Sequence, residues 1–168
     1  MRARAFDVRQ KMMIIRAAIA FLALPAVVAG LVPALIVRRA TPDQSTTFVG
    51  IALLGAGSFL LLWCVRDFFV SGKGTLAPWD PPKHLVVVGL YRHVRNPMYL
   101  AVLTVIAGWS LLYTSAWVAI YMTFLAVGFH VRVIMHEEPW LHRQFGVEWE
   151  AYCASVSRWL PRLRQKAK

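Results

Sequence analysis

A chain of 168 residues that is 58% hydrophobic and 16% charged, with a mean hydropathy of +0.53, is too apolar for an ordinary water-soluble domain. Its net charge of +11 does not point to nucleic acid, because the basic residues stand in small groups beside apolar runs rather than in one stripe interleaved with aromatics. Composition predicts a membrane protein whose basic residues meet anionic lipid headgroups, with little chain left over for a separate soluble domain.

The first apolar run, Met13 to Val37, has small residues near Ala26 to Gly30 in the manner of a signal peptide. Its length and the three runs that follow favour an uncleaved anchor. The second run, Phe48 to Val65, contains Gly55 and Gly57; with no preceding strand they form no dinucleotide loop and instead suit close helix packing. Next comes the longest polar connection, Arg66 to Asn96, punctuated by Gly72, Gly74, Pro78, Pro81 and Pro82. A connection of that length usually has a function, and its apolar stretch Leu85 to Val88 is expected to bury against protein or the interface.

The third run, Met98 to Leu112, is short for a span and borrows turns from Pro97 and Tyr113. Only Tyr113, Thr114 and Ser115 separate it from the fourth, Trp117 to Met135, so the two form an antiparallel hairpin with Trp109, Tyr113 and Trp117 at its interfacial tip. Pro139 is predicted to end the fourth helix near Glu137 and Glu138. Beyond it Trp140, Leu141, Phe145, Trp149, Tyr152, Val156 and Leu160 recur at threes and fours, as in an amphipathic helix lying on the membrane face and bent near Gly146. Arg162 to Lys168 reads as a solvated basic tail.

The predicted fold is therefore all-α: one integral membrane domain over residues 1–168, a four-span helical bundle with spans at about residues 13–37, 48–65, 97–113 and 117–135. A cytoplasmic loop and a C-terminal amphipathic helix complete it, and the site elements fall at about residues 84–99 and 132–161. Placing both termini in the cytoplasm puts every one of the 19 Lys and Arg residues except Arg38 and Arg39 on that side, as the positive-inside rule requires. The compact chain suits a prokaryotic inner membrane.

Gly89 to Tyr99, GLYRHVRNPMY, sets Arg92, Arg95 and Asn96 directly against a span. Asn96 is a candidate N-cap and Pro97 fits a first helical turn, so the positive end of this helix, with both arginines beside it, offers a place for a carboxylate or phosphate. Equally, the arginines simply reach out to headgroups. Glu137 and Glu138 return to the same membrane face, about 8 to 10 Å away if the helices pack directly. The two charges then hold a zwitterionic ligand, or Arg95 pairs with one Glu as a structural ion pair. Of the five histidines only His130 lies in a span, and no metal-ligand spacing appears; Cys64 and Cys153 read as packing residues.

The stretches HLVVVGLYRHVRNPMY and EEPWLHRQFGVEWEAYCASVSRWLP resemble the C-terminal half of the isoprenylcysteine carboxyl methyltransferase family and its phospholipid methyltransferase relatives, over roughly His84 to Pro161. The resemblance implies an integral membrane methyltransferase that binds S-adenosylmethionine in a cytoplasm-facing pocket. It carries cofactor contacts onto His84, Leu85, Val86, Tyr91, Asn96, Pro97, Met98, Tyr99 and Glu137. The sequence departs from the family pattern in three places. Asn96 stands where the motif has His, His84 aligns only across a one-residue gap that would otherwise select Lys83, and Arg132 precedes Glu137 by five residues, about 140° around an ideal helix.

Methyl transfer from a sulfonium needs alignment and water exclusion more than acid–base chemistry. The candidate catalytic residues are accordingly few: Arg95 or Arg132, with Arg92, to orient a carboxylate, or Glu138 to take a proton from an amine. The expected acceptor is lipophilic or lipid-linked, a carboxyl group by resemblance, with phospholipid amines and thiols as alternatives. The rival of another class is a non-enzymatic small membrane subunit or transporter component. Transport would call for ionisable residues inside the spans, and the predicted spans have almost none.

Overall fold

The computed structural model describes residues 25–72 and 84–161. The beginning of the first run with its basic flank, Lys73, Lys83 and the three prolines between them, and the basic tail lie outside those residues. The described chain is helical, with one isolated parallel bridge between Val94 and Ser157.

What is described of the first run is a π-turn, Val27–Leu31, leading into α1 (Val32–Ile36). Helix α2 (Thr47–Gly72) follows, then a 3-10 turn, Gly89–Arg92, and helix α3 (Pro97–Leu112). Residues 113–115 turn the chain into α4 (Ala116–Arg132), whose first turn is capped by Ser115 Oγ accepting from Val118 N at 3.4 Å. The hairpin thus forms where the sequence places it. A second π-turn, Val133–Glu137, joins α4 to α5 (Glu138–Phe145), and Gly146, with φ of +49°, breaks the path before α6 (Val147–Ser155).

Two expectations about helix ends are corrected. Helix α2 does not stop at Val65 but continues through Arg66 and Asp67 to Gly72, because two adjacent polar residues do not break a helix and no glycine or proline intervenes. Pro139 does not end the fourth helix either. A proline lacks the N–H that would reach back four residues and crowds the carbonyl there; both π-turns lie four residues upstream of a proline, Pro33 and Pro139, and the widened turn relieves that crowding.

Helices α2 and α3 run antiparallel at close range. A Cβ on Gly57 would lie 2.7 Å from Val105 N, one on Gly108 2.8 Å from Leu54 N, and one on Gly50 2.8 Å from Leu112 Cα. Glycines on both helices thus let backbone meet backbone, a seam that suits association in lipid. Of the expected pair Gly55 and Gly57, only Gly57 lies in it, since Gly55 faces open space.

Ile106 and Val118 are fully buried in a cluster with Ala29, Val37, Val102 and Val105, which ties the described end of the first run to the hairpin. The outer surface is apolar: Phe48, Trp117 and Phe124 are more than 70% exposed. Stretches Thr47–Phe68 and Ala116–Phe145 are long and apolar enough to cross a membrane, and only 11% of the most apolar part of the second is buried within the protein. A soluble core helix would hide that surface; a lipid-facing one leaves it out.

Candidate active site

The end of the bundle where α3 starts and α4 finishes collects most of the residues singled out in the sequence. Asn96 does not cap α3 with its side chain. Its Nδ2 donates instead to Arg158 O at 3.2 Å, while Arg95 N donates to Ser157 O at 2.9 Å beside the Val94 bridge. Residues 94–96 therefore pair with an extended strap that begins at Val156, where φ of −122° and ψ of 129° end the helical path. The strap replaces the continuation of the amphipathic helix expected from the apolar spacing of Val156 and Leu160.

Glu137 gathers two partners. Tyr99 donates its hydroxyl to Oε1, and Arg132 Nε donates to the same oxygen at 2.9 Å. A five-residue spacing misses on an ideal helix, but the π-turn between Arg132 and Glu137 brings the two side chains together. Phe129 stacks on Tyr99 with ring centroids 4.5 Å apart, and Trp159 stands 6.4 Å from Tyr99 on the strap, donating to His130 Nδ1 at 3.0 Å.

Glu138 is held by two arginines. Arg158 forks onto it at 2.7 and 2.8 Å, and Arg95 Nη1 lies 3.3 Å from Oε1. The Arg95 and Glu138 side chains are only 12% and 17% exposed. Arg95 also donates to Cys153 Sγ at 2.6 Å and lies over the Trp149 ring at 5.4 Å, and its Nε is buried with no partner among the described residues. The structural ion pair anticipated between Arg95 and one glutamate is present, with Arg158 as an additional member. Hydrogen bonding to Glu138 raises the Arg158 pKa.

The remaining sequence candidates divide among the Tyr91 cluster, the head of α3, a separate groove and the exposed surface. Tyr91 is buried with Cys64, Phe68 and Val86, and its carbonyl accepts from the Tyr152 hydroxyl at 2.6 Å. Burial pushes the Tyr91 phenol well above its usual pKa, with Cys64, Tyr152, Asp67 and Tyr99 adding to the effect; burial likewise raises Tyr152. Met98 packs on the Tyr91 cluster, and Pro97 is buried at the head of α3. His84 and Leu85 line a separate open groove of about 510 Å³ with Gln144, Phe145 and Glu148. Leu85 also packs beside Trp149, which connects that groove to Arg95. Arg92 is exposed and donates weakly to Val87 O at 3.4 Å.

All three candidate catalytic side chains stand in ion pairs; Arg95 and Glu138 are largely buried in theirs, whereas Arg132, paired through Nε with Glu137, is 62% exposed. Sequence reasoning overlooked Arg158, Trp159 and Phe129. The signal for Arg158 and Trp159 was their place in the resembling stretch SVSRWLP; Phe129 had no signal beyond lying two turns before Glu137.

A sequence model of the phospholipid methyltransferase family matches residues 45–148, well over half of the chain. The protein belongs to this family. Phospholipid methyltransferase family members are integral membrane methyltransferases, and isoprenylcysteine carboxyl methyltransferase-like proteins are among them. The matched region runs from the start of α2 into α6 and contains Tyr91, Tyr99, Arg132, Glu137 and Glu138, while the strap lies beyond it. No curated protein and no solved structure matches the chain.

Proposed function

We propose that the protein transfers a methyl group from S-adenosylmethionine to a lipophilic or membrane-associated acceptor. The observation that carries this reading is the convergence of Tyr99 and Arg132 on Glu137 beneath an aromatic wall, in a chain of the phospholipid methyltransferase family. The donor set suits the cofactor: carboxylate oxygens for amino and ribose hydroxyl groups, a buried Arg95 Nε with no partner for a carboxylate, and aromatic faces for the adenine. Its contacts would be His84, Leu85, Val86, Tyr91, Asn96, Pro97, Met98, Tyr99 and Glu137.

S-adenosylmethionine supplies a methyl group on a positively charged sulfur. The protein's part is to align the acceptor and exclude water. Arg132 orients a carboxylate acceptor, with Arg95 and Glu138 fixing the strap that closes the site. A phospholipid amine is the second reading, favoured by the family match. Its proton would not pass to Glu138, because Arg158 takes up both carboxylate oxygens.

The setting we propose is a single domain of four spans with cytoplasmic termini: α2, the α3–α4 hairpin, and the first run, whose described end packs into the hairpin core. A non-enzymatic subunit has no counterpart in the family match. The test supplies methyl-labelled S-adenosylmethionine and lipid extracts to the full-length protein in bilayers. A carboxyl acceptor gives a methyl ester that releases methanol in base, whereas an amine gives a base-stable product. No labelled product from folded protein on any extract contradicts the proposal.

A further inference from the structure

Asp67 is a carboxylate near the end of α2, within the stretch that qualifies as a membrane span, and it is only 6% exposed. Its Oδ1 accepts from Arg66 Nη1 at 3.2 Å, a pairing with an adjacent residue whose own side chain is 73% exposed. Such a pair contributes little. The other oxygen, Oδ2, is buried without a hydrogen-bond partner among the described residues. Burying an acceptor without a donor costs free energy, and ionisable groups at membrane depth are otherwise paired, so a carboxylate held this way points to a ligand.

Gly89 lets that oxygen lie directly against the backbone of the 3-10 turn. Gly89 adopts φ of +53°, and a Cβ there would lie 1.9 Å from Oδ2 and 3.2 Å from Trp63 Nε1. Both the backbone conformation and the space therefore require glycine where the 3-10 turn meets α2. Two residues on, Tyr91 packs with Cys64 and Phe68 of α2 and with Met98 of α3, which precedes Tyr99.

We propose that Asp67 binds a cationic amino group of a ligand at a second acidic pole of the site, on the α2 side of Tyr91 and across from Glu137. A positive charge compensates the buried carboxylate better than a neutral donor would. The ammonium comes either from the amino-acid end of the cofactor or from an amine headgroup, and only the choice between these rests on the methyltransferase reading.

Full-length protein in phosphatidylglycerol bilayers, wild type and Asp67→Asn, is titrated with three probes: S-adenosylhomocysteine, 5′-methylthioadenosine, which lacks the amino-acid end, and glycerophosphoethanolamine. If Asp67 holds the cofactor ammonium, the substitution weakens S-adenosylhomocysteine at least tenfold and leaves 5′-methylthioadenosine unchanged. If it holds a headgroup, the loss falls on glycerophosphoethanolamine alone. In both cases Asp67→Glu recovers affinity relative to Asp67→Asn, and the melting temperature of Asp67→Asn does not fall, since a stranded carboxylate is removed. A lowered melting temperature with all three affinities as in wild type, or no wild-type binding of any probe, overturns the proposal. Wild-type protein that binds glycerophosphoethanolamine but neither nucleoside contradicts the methyltransferase reading and leaves the role of Asp67 to be judged on the headgroup.

Discussion

The two ends of the α3–α4 hairpin solve the same problem with different materials. At the tip, the open end of α3 is satisfied by a short side chain and a backbone amide: Thr46 Oγ1 donates to Leu111 O at 2.6 Å and Asp43 N to Leu112 O at 3.0 Å, with Thr114 Oγ1 donating to Asp43 Oδ2 at 2.9 Å. At the opposite end, Glu137 and Glu138 are tied to Arg132, Arg95 and Arg158, and the last pair sits largely out of water. Exposed caps of that kind would have been enough to finish the helices there too. A buried ion cluster carries a desolvation cost that fold stability alone does not require, which supports the proposal that the second end is the working one.

The largest effect expected from this contrast is at Glu138. Glu138→Ala strands Arg95 and Arg158 together and should destabilise the protein by about 3–5 kcal/mol in reversible denaturation, with loss of methyl transfer. Next comes the seam that holds the ends in register: Gly57→Ala drives a methyl group against Val105 and should cost about 1–3 kcal/mol, while Gly55→Ala, facing open space, should be neutral or mildly stabilising. Tyr99→Phe removes one hydrogen bond to Glu137 and should cost about 1 kcal/mol of stability or less, while weakening cofactor binding several-fold.

The smallest effect belongs to the tip. Hydrogen bonds from the Ser45 side chain, the Ser45 backbone and Thr114 lower the Asp43 pKa in the folded state. A group held below its ordinary value contributes stability above that value and loses it as pH falls through the folded pKa. Asp43→Asn should therefore lower the melting temperature slightly at neutral pH, and the difference should vanish on acidification below about pH 4. A large effect at the tip, or a small one at Glu138, would break the contrast.

The hairpin was readable in the sequence because its link is short and its apolar runs have the right lengths, and the path of the chain turns at Gly146 as the spacing implied. What escaped were features decided by contacts between distant segments. Nothing local tells that Asn96 bonds to Arg158 rather than capping its own helix, or that Val156 leaves the helical pattern to pair beside Val94. Pro139 looked like a helix end because local rules describe ideal turns; the π-turn absorbed it and also closed the awkward spacing between Arg132 and Glu137. Asp67 was hidden because the apolar run ends at Val65 while its helix continues to Gly72.

The most direct test of the functional assignment compares the two ends in one measurement: calorimetric titration of the full-length protein with S-adenosylmethionine, for wild type, Glu137→Gln and Asp43→Asn. The account predicts binding by wild type, at least tenfold weaker binding by Glu137→Gln, and binding by Asp43→Asn equal to wild type. No binding by folded wild type, or equal losses from the two substitutions, would contradict it.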